Sequence, residues 1–488
     1  MKKKQIGYDT IKLTASKVFA VLVSLVATML LSRFRTLEEY GTYSQMLTAI
    51  NLITAFFMLG LPNSINYFLG KAKSEDDKQK FINLYYTLST ILGILSGLVL
   101  LLSTPLIAKY YDNNLIKNFW YFLVFYPWAK VIMASIEYVL ISYERTNLIM
   151  GYRIFNGIAL VGTILGVQLA GLGFTSYMIA FVVVEAIFAI SVYVIVKNTA
   201  GKLSFSLNKN LLKTVLAFAI PIGLASIVGT INIELDKLLI GRLFSTEQLA
   251  IYTNASKELP LTIIAASFTA ILMPHIVKLL DNKENEAAVK LWGNAITLSF
   301  ALISFLVAGI FVFAPDVVEF LYGEKYLPGI NVFRIYAILA LFKFTYFGLV
   351  LNAVGKTKII FYSSLITMLL NIILNYVLYL IFDFEGPAVA TVLSQVTMQA
   401  VQLIFTSKII GVSLKRIFPW KSLGIITLTN AIMALGFYFL KKVIPLDNYM
   451  SSLLESIILA VVWGGLYILV MYKPLKKNWL ELNMSDEK

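Results

Sequence analysis

The sequence predicts an all-α integral membrane protein of about fourteen transmembrane helices, twelve of them arranged as two copies of a six-helix repeat. Three observations carry this. Hydrophobic residues make up 59% of the 488 and charged residues only 14%, where soluble domains carry about 25% charged, and the mean hydropathy is +0.79. Apolar runs of about 20 residues, the length that crosses a bilayer core as a helix, recur along the whole chain. Charged loops, prolines and span order then recur at a nearly constant offset. The runs lack the period-two alternation of a membrane barrel, so helices, which satisfy their own backbone hydrogen bonds, are the expected spans.

The first run, 13–32, follows Met-Lys-Lys-Lys as a secretory signal would. No small-residue cleavage site follows it, and Arg33 and Arg35 flank its far end, so it reads as a retained span. The next five are 42–61, 81–108, 117–142, 148–170 and 175–197. A second six follow at 211–241, 249–273, 290–314, 329–352, 359–381 and 387–407, and two more at 422–440 and 450–472. Lys and Arg gather in alternate connections, at 2–4, 71–80, 197–213, 278–290, 356–358, 408–421 and 473–477. Asp and Glu show no such bias. The positive-inside rule places these segments, and both termini, in the cytoplasm.

The repeat is legible residue by residue. RFRTLEEYGTY at 33–43 aligns with RLFSTEQLAIY at 242–252, matching Arg33 with Arg242, Glu38 with Glu247 and Tyr43 with Tyr252. Downstream, Lys80 meets Lys290, Thr87-Leu88-Ser89 meets Thr297-Leu298-Ser299, and Pro105 meets Pro315. Six spans per copy start both copies on the same side of the membrane. The copies are therefore expected to be parallel, related by an axis along the membrane normal, with a substrate path at their interface. The expected division is an N-terminal half at 1–197, a cytoplasmic linker at 198–212, a C-terminal half at 213–408, and a linker, two helices and a tail at 409–488.

Composition excludes several chemistries. With no Cys and a single His, disulfide scaffolds, thiol nucleophiles, Cys/His zinc sites and histidine acid–base catalysis drop out, and no metal site is expected. The net charge of +14 is dispersed in short tracts between apolar runs rather than on one domain, so nucleic acid is not an expected partner. The loops are too short to hold a catalytic domain, and no enzyme activity is expected. No GxxxxGK[ST] motif occurs, so ATP is not the direct driver.

Two six-span halves, RFRTLEEYGTYSQ after the first span, LGLPNSINYFLGK closing the second, IPIGL at 220–224, LDKLLIGRLFSTEQLAIYTNASKEL at 235–259, Met273-Pro274 and NAVGKTK at 352–358 together resemble a known group. It is the polysaccharide transporter (Wzx-type) branch of the multidrug/oligosaccharidyl-lipid/polysaccharide (MOP) superfamily, and the resemblance covers essentially the whole chain. It implies a MATE/MurJ-like fold and a flippase that moves an undecaprenyl-pyrophosphate-linked oligosaccharide repeat unit from the cytoplasmic to the outer leaflet by alternating access. The implied setting is the bacterial cytoplasmic membrane, with other polysaccharide-assembly membrane proteins as further partners. Fourteen spans fit this branch and the lipid II flippases better than the drug-extruding relatives, which usually have twelve. The alternatives are a drug or organic-cation antiporter of the same superfamily and a lipid II flippase. One departure stands out: the second half has Leu249-Ala250 where Gly is common in the family, against Tyr40-Gly41 in the first, so the two turns are expected to differ.

Ionisable residues inside spans are functional candidates, because burying them in the membrane is expensive. Within the spans, Lys17, Lys130, Lys237, Lys257, Arg334 and Lys343 stand as basic candidates beside the acidic Glu137, Glu185, Glu234, Asp236 and Glu258. That balance leans towards an anionic substrate. Lys17, Lys237, Lys257 and Arg334 are the expected pyrophosphate ligands, Arg as a fork and Lys as a point charge. Asn232 and Asn254, with Asn63 and Asn66, are candidates for sugar hydroxyls. Asp236 reads as a charge partner, and Glu258, Glu137 and Glu185 as candidates for proton or sodium coupling, since a buried carboxylate can change protonation at modest cost. No other cofactor is expected. The competing reading is a structural ion-pair network, Asp236 with Lys257 or Glu234 with Lys237. Pro221, inside the seventh span, is expected to kink it, as a gating hinge or as plain packing.

Overall fold

A computed structural model describes residues 2–257, 259–443 and 451–484. Among them every regular element is helical, and no strand occurs. In chain order the α-helices are α1 (Lys2–Phe34), α2 (Leu37–Met58), α3 (Leu61–Lys71), α4 (Glu75–Tyr110), α5 (Trp120–Met133), α6 (Ile136–Ser142), α7 (Thr146–Leu169) and α8 (Phe174–Ala200). Then come α9 (Lys209–Leu243), α10 (Thr246–Ala255), α11 (Thr262–Asp281), α12 (Asn285–Val312), α13 (Ala314–Tyr322), α14 (Ile330–Leu341) and α15 (Leu349–Ala353). The chain ends with α16 (Thr357–Phe382), α17 (Gly386–Ile410), α18 (Leu414–Ile417), α19 (Trp420–Val443) and α20 (Ser452–Met484). Twelve helical stretches among the described residues are long and apolar enough to cross a membrane. One of these, Thr357–Ile410, is the α16–α17 hairpin.

The repeated motif is a pair of helix starts. Thr36 caps α2 by accepting from the Glu39 amide at 3.1 Å, while Glu39 accepts from the Thr36 amide at 3.0 Å. Ser245 and Gln248 make the same reciprocal box before α10, both bonds at 3.2 Å. Each box satisfies two amides that a helix end otherwise leaves unpaired. The duplication continues in structure: short 3-10 helices at Asn114–Phe119 and Glu324–Gly329 lie 210 residues apart and lead into α5 and α14. Gly41 sits inside α2 rather than in the expected turn, as Leu249 and Ala250 sit inside α10. What Gly41 provides is a close approach, since a Cβ there would overlap the Thr246 carbonyl.

Four of the expected spans are broken. The second ends α2 at Leu59 and Gly60, both with positive φ (47° and 71°), and restarts as α3 with Pro62 in its first turn. Gly60 also lies against Gly223 of α9, and a Cβ on either would overlap the other segment's backbone. The fourth span divides at Ala134–Ser135 between α5 and α6. The expected single helix over 249–273 is instead α10 and α11, parted near Pro260, which has no amide to donate. The expected helix over 329–352 is instead α14 and α15. Its unwound stretch is tolerated because neighbours take up the freed groups: Ser299 donates to the Phe344 carbonyl at 2.7 Å, Gln399 to the Phe342 carbonyl at 2.7 Å, and Trp292 to the Thr345 hydroxyl at 2.9 Å.

The chain divides into two compact units, Met1–Ile251 and Tyr252–Lys488. In the first, α4 packs along α5, α5 on α8, α1 on α7, and α9 on α2 and α3. So α9, which opens the second copy of the sequence repeat, packs within the first unit. In the second unit α12 is the hub, packed by α11, α14, α19 and α20, with Trp292, Ile303, Val307, Phe437 and Trp463 in its core. The α16–α17 hairpin carries an uncharged polar seam in which Ser394 donates to Asn371 and Gln402 to Ser363, at 3.3 and 3.0 Å. Such bonds hold helices together where lipid supplies no hydrophobic drive.

Candidate functional site

Inside the first unit a cavity of about 410 Å³ opens between α2, α3, α5, α6 and α9. Its polar lining is Asn51 and Thr54 from α2, Asn63 from α3, Lys130 from α5, Tyr138 from α6, and Ser226, Thr230 and Glu234 from α9. Helical spacing explains the set. Residues 51 and 54 are three apart and residues 226, 230 and 234 four apart, so each group shares one helix face.

Glu234 organises the site. Its side chain is nearly buried and accepts from Asn51 Nδ2 at 2.7 Å, from Thr48 Oγ1 at 3.2 Å and from Lys237 Nζ at 3.4 Å. Lys130 donates to Asn51 Oδ1. The amide orientation is unambiguous, because only this one offers oxygen to the ammonium and NH2 to the carboxylate. A chain of alternating character results: Lys130, Asn51, Glu234, Lys237. It holds two cations and one carboxylate, and Asp236, buried next to Lys237, supplies a second carboxylate. Ser226 and Thr230 spend their hydrogens on backbone carbonyls one turn back, at 3.1 and 3.0 Å, which leaves their oxygens as acceptors. The Tyr138 hydroxyl donates to Asn63 at 3.4 Å. Neutral donors and acceptors, an aromatic ring and the Lys130 ammonium are groups that can hold a hydroxyl-rich ligand carrying a negative charge.

The expected site residues fall into several places. Lys237 lies beside the cavity through Glu234, the i,i+3 pair foreseen as an ion-pair network. Asp236, also buried, accepts the Lys237 amide at 2.8 Å, and the Oδ1 of Asn232, half-buried on the same helix, has no hydrogen bond among the described residues. Lys17 and Glu137, given separate roles from the sequence, are one cluster: they pair at 3.1 Å, and Glu137 also pairs with Arg153, which donates to Ser16 at 3.2 Å. Lys17 keeps 60% of its side chain exposed, against 22% for Glu137. Glu185 is buried in α8, where Asn156 donates to it at 3.5 Å. Asn66 is exposed on α3 and accepts from Ser142 at 3.1 Å.

In the second unit Lys257, at the break between α10 and α11, shares with Lys343 and Tyr336 a cavity of about 20 Å³. That is room for one water molecule, not for a sugar. Arg334 does not line it; its Nε donates to the Phe311 carbonyl at 3.2 Å and its guanidinium lies 5.3 Å from the Phe311 ring, tying α14 to the end of α12. Asn254 is fully buried beside Tyr326, so it is sealed from any cavity. Glu258 lies outside the described residues.

Sequence reading named Lys130 and Glu234 as in-span charges but did not select them as ligands, and it passed over Asn51. The available signal was a single amide in the middle of an apolar run, which membrane burial makes costly.

Comparison with known proteins agrees with this architecture. Residues 30–331 match the family described as polysaccharide biosynthesis protein. An uncharacterized membrane protein of Methanocaldococcus jannaschii is 25% identical over 78% of this chain and 92% of its own length. A probable low-salt glycan biosynthesis flippase of Haloferax volcanii, Agl15, is 22% identical over 52% of this chain and 53% of its own. The teichuronic acid biosynthesis protein TuaB of Bacillus subtilis is 22% identical over 59% and 60%. Among solved structures, the lipid II flippase MurJ in an inward closed conformation aligns with a TM-score of 0.77, over 95% of this chain and 99% of its own, at 16% identity. An inward-facing multidrug resistance MATE transporter aligns at 0.68, over 84% and 99%, at 15% identity. The chain is thus a multi-pass integral membrane protein of the MOP transporter fold, and it belongs to the polysaccharide biosynthesis protein family.

Proposed function

We propose that this protein is a flippase for a lipid-linked oligosaccharide, moving an undecaprenyl-pyrophosphate-linked repeat unit from the cytoplasmic to the outer leaflet of a bacterial membrane by alternating access. The observation that carries the reading is the first unit's cavity. Its amides and hydroxyls suit sugar hydroxyls, and the Lys130 ammonium on its wall suits an anionic substrate. The names of Agl15 and TuaB support the substrate class. In this reading Lys17, Lys257 and Arg334 are further cations along the route, and Glu185, buried in α8, is the carboxylate that couples transport to a proton or sodium ion.

The test is transport of an undecaprenyl-pyrophosphate-linked sugar by purified protein in proteoliposomes. Wild type flips the lipid. Lys130→Met and Asn51→Leu each slow it by about tenfold or more, the cost of one charged hydrogen bond, while Lys343→Met leaves the rate nearly unchanged. Parallel assays with Lys257→Ala and Arg334→Ala assign or dismiss those two cations. Transport of an organic cation in place of the lipid would overturn the proposal in favour of an antiporter.

A further inference from the structure

We infer that the second unit carries a binding collar for anionic phospholipid headgroups at the end where α12 begins. α20 is 33 residues long, about 50 Å as a helix, while the hydrocarbon core is about 30 Å thick. Its surplus, from Lys473 onward, therefore runs along or beyond the membrane surface. That segment is two-faced. Leu475 and Leu482 pack on the core of the unit, and Glu481 pairs with Lys290 at 3.2 Å and accepts from Asn294 at 3.3 Å. On the outer side Lys473, Lys476 and Lys477 are exposed, and Trp479 and Leu480 keep about half their surface open.

A second basic and aromatic segment reaches the same stripe of α12. Arg416 of α18 pairs with Glu286 at 3.5 Å. Glu286, Lys290 and Asn294 are spaced by four, so they share one face of α12 within about 12 Å. α18 and the end of α20 thus meet along one line, which gathers Lys415, Lys421 and the half-exposed Trp420 with Lys473, Lys476, Lys477 and Trp479. The charge leans positive: no acidic residue occurs between Glu455 and Glu481, Glu481 is held by Lys290 and Glu286 by Arg416, and Lys415, Lys421, Lys473, Lys476 and Lys477 add to them. Another basic connection, 71–80, differs, since Glu75 pairs with Lys78 at 2.6 Å and Asp76 with Lys80. Lysines that flank indole rings at the water interface match a headgroup phosphate above and an acyl boundary below.

The test is native mass spectrometry of the purified full-length protein titrated with phosphatidylglycerol or phosphatidylcholine. Phosphatidylglycerol should bind in preference, and Lys473→Ala/Lys476→Ala/Lys477→Ala should weaken it roughly a hundredfold, at about fivefold per charge. The triple Arg variant should retain binding. Should the Ala variant misfold, wild type still decides: raising the salt should release the anionic lipid. Equal binding of phosphatidylcholine, no effect of the Ala variant or of salt, or displacement by soluble pyrophosphate would each overturn the collar.

Discussion

Each unit holds most of one copy of the repeat, yet they close their cores in opposite ways. In the first, Gly93 and Gly97 of α4 let α5 come so close that a Cβ on Gly97 would overlap the Val124 carbonyl. At the matching positions, 210 residues on, α12 of the second unit carries Ile303 and Val307, both fully buried. Small residues at i,i+4 favour backbone contact between two membrane helices; large ones hold helices apart and make a broader core. The second unit uses that breadth to bury α12 against α19 and α20, which have no counterpart in the repeat. The polar content diverges too. The first unit holds a cavity of about 410 Å³ built on Glu234, while the second offers about 20 Å³ beside Lys257 and Lys343. The repeat sets a shared scaffold, and the cavity joins both copies of it, α2, α3, α5 and α6 of the first with α9 of the second.

The largest expected effect tests the polar half of this contrast. Glu234→Leu removes the buried carboxylate that pairs the half-buried Lys237 and accepts from Asn51 and Thr48, and should cost about 3 kcal/mol, read as a fall in thermal midpoint in nanodiscs. Adding Lys237→Met should restore much of it; a double variant as unstable as the two losses summed would show that the pair is not coupled. The glycine contrast is tested by exchange. Gly97→Val should cost about 3 kcal/mol by overpacking α4 on α5, and Val307→Gly about 2 kcal/mol from a cavity and a flexible helix. If Gly97→Val is neutral, the close approach is not what holds the first unit together.

The capping boxes are where the units should behave alike. Thr36→Ala and Ser245→Ala should each lose about 1 kcal/mol, and a marked asymmetry in unfolding would mean that one box is dispensable. The smallest effect at neutral pH concerns Asp316 on α13. Burial by itself would push its carboxyl up, but hydrogen bonds from Lys441, Ser452 and Ser456 hold it below the usual Asp value. A depressed folded pKa stabilises above the unfolded value, about 3.9, and that contribution is lost as pH falls through the folded one. Thermal midpoints should therefore show no pH dependence from this group between pH 7 and about 5, where its contribution is fully present. A decline should follow only below pH 4, and Asp316→Asn should flatten it.

Much of the fold was legible because its signals are local. Apolar runs, charge alternation and the 33–43/242–252 match are properties of neighbouring residues, and the last turned out to be a capping box written twice. The four broken spans were harder to read. Pro260 and Gly60 are visible as breakers, but Gly348 alone does not announce an unwound stretch over 342–348; it depends on Ser299, Trp292 and Gln399 arriving from other helices. The grouping of the candidate residues in space was not legible. In-span charges were found, but Lys17 and Glu137 form one pair, Lys257 faces a space for one water, and Asn254 is sealed.

By itself, then, the sequence determined that this chain is a helical membrane protein with a duplicated core, since hydropathy, charge bias and helix starts are set within a few residues of each position. Which charges share a cavity was decided only by tertiary structure. Asn51, Lys130 and Glu234 lie on three helices far apart in the chain, and only the crossing of α2, α5 and α9 brings them within hydrogen-bond reach.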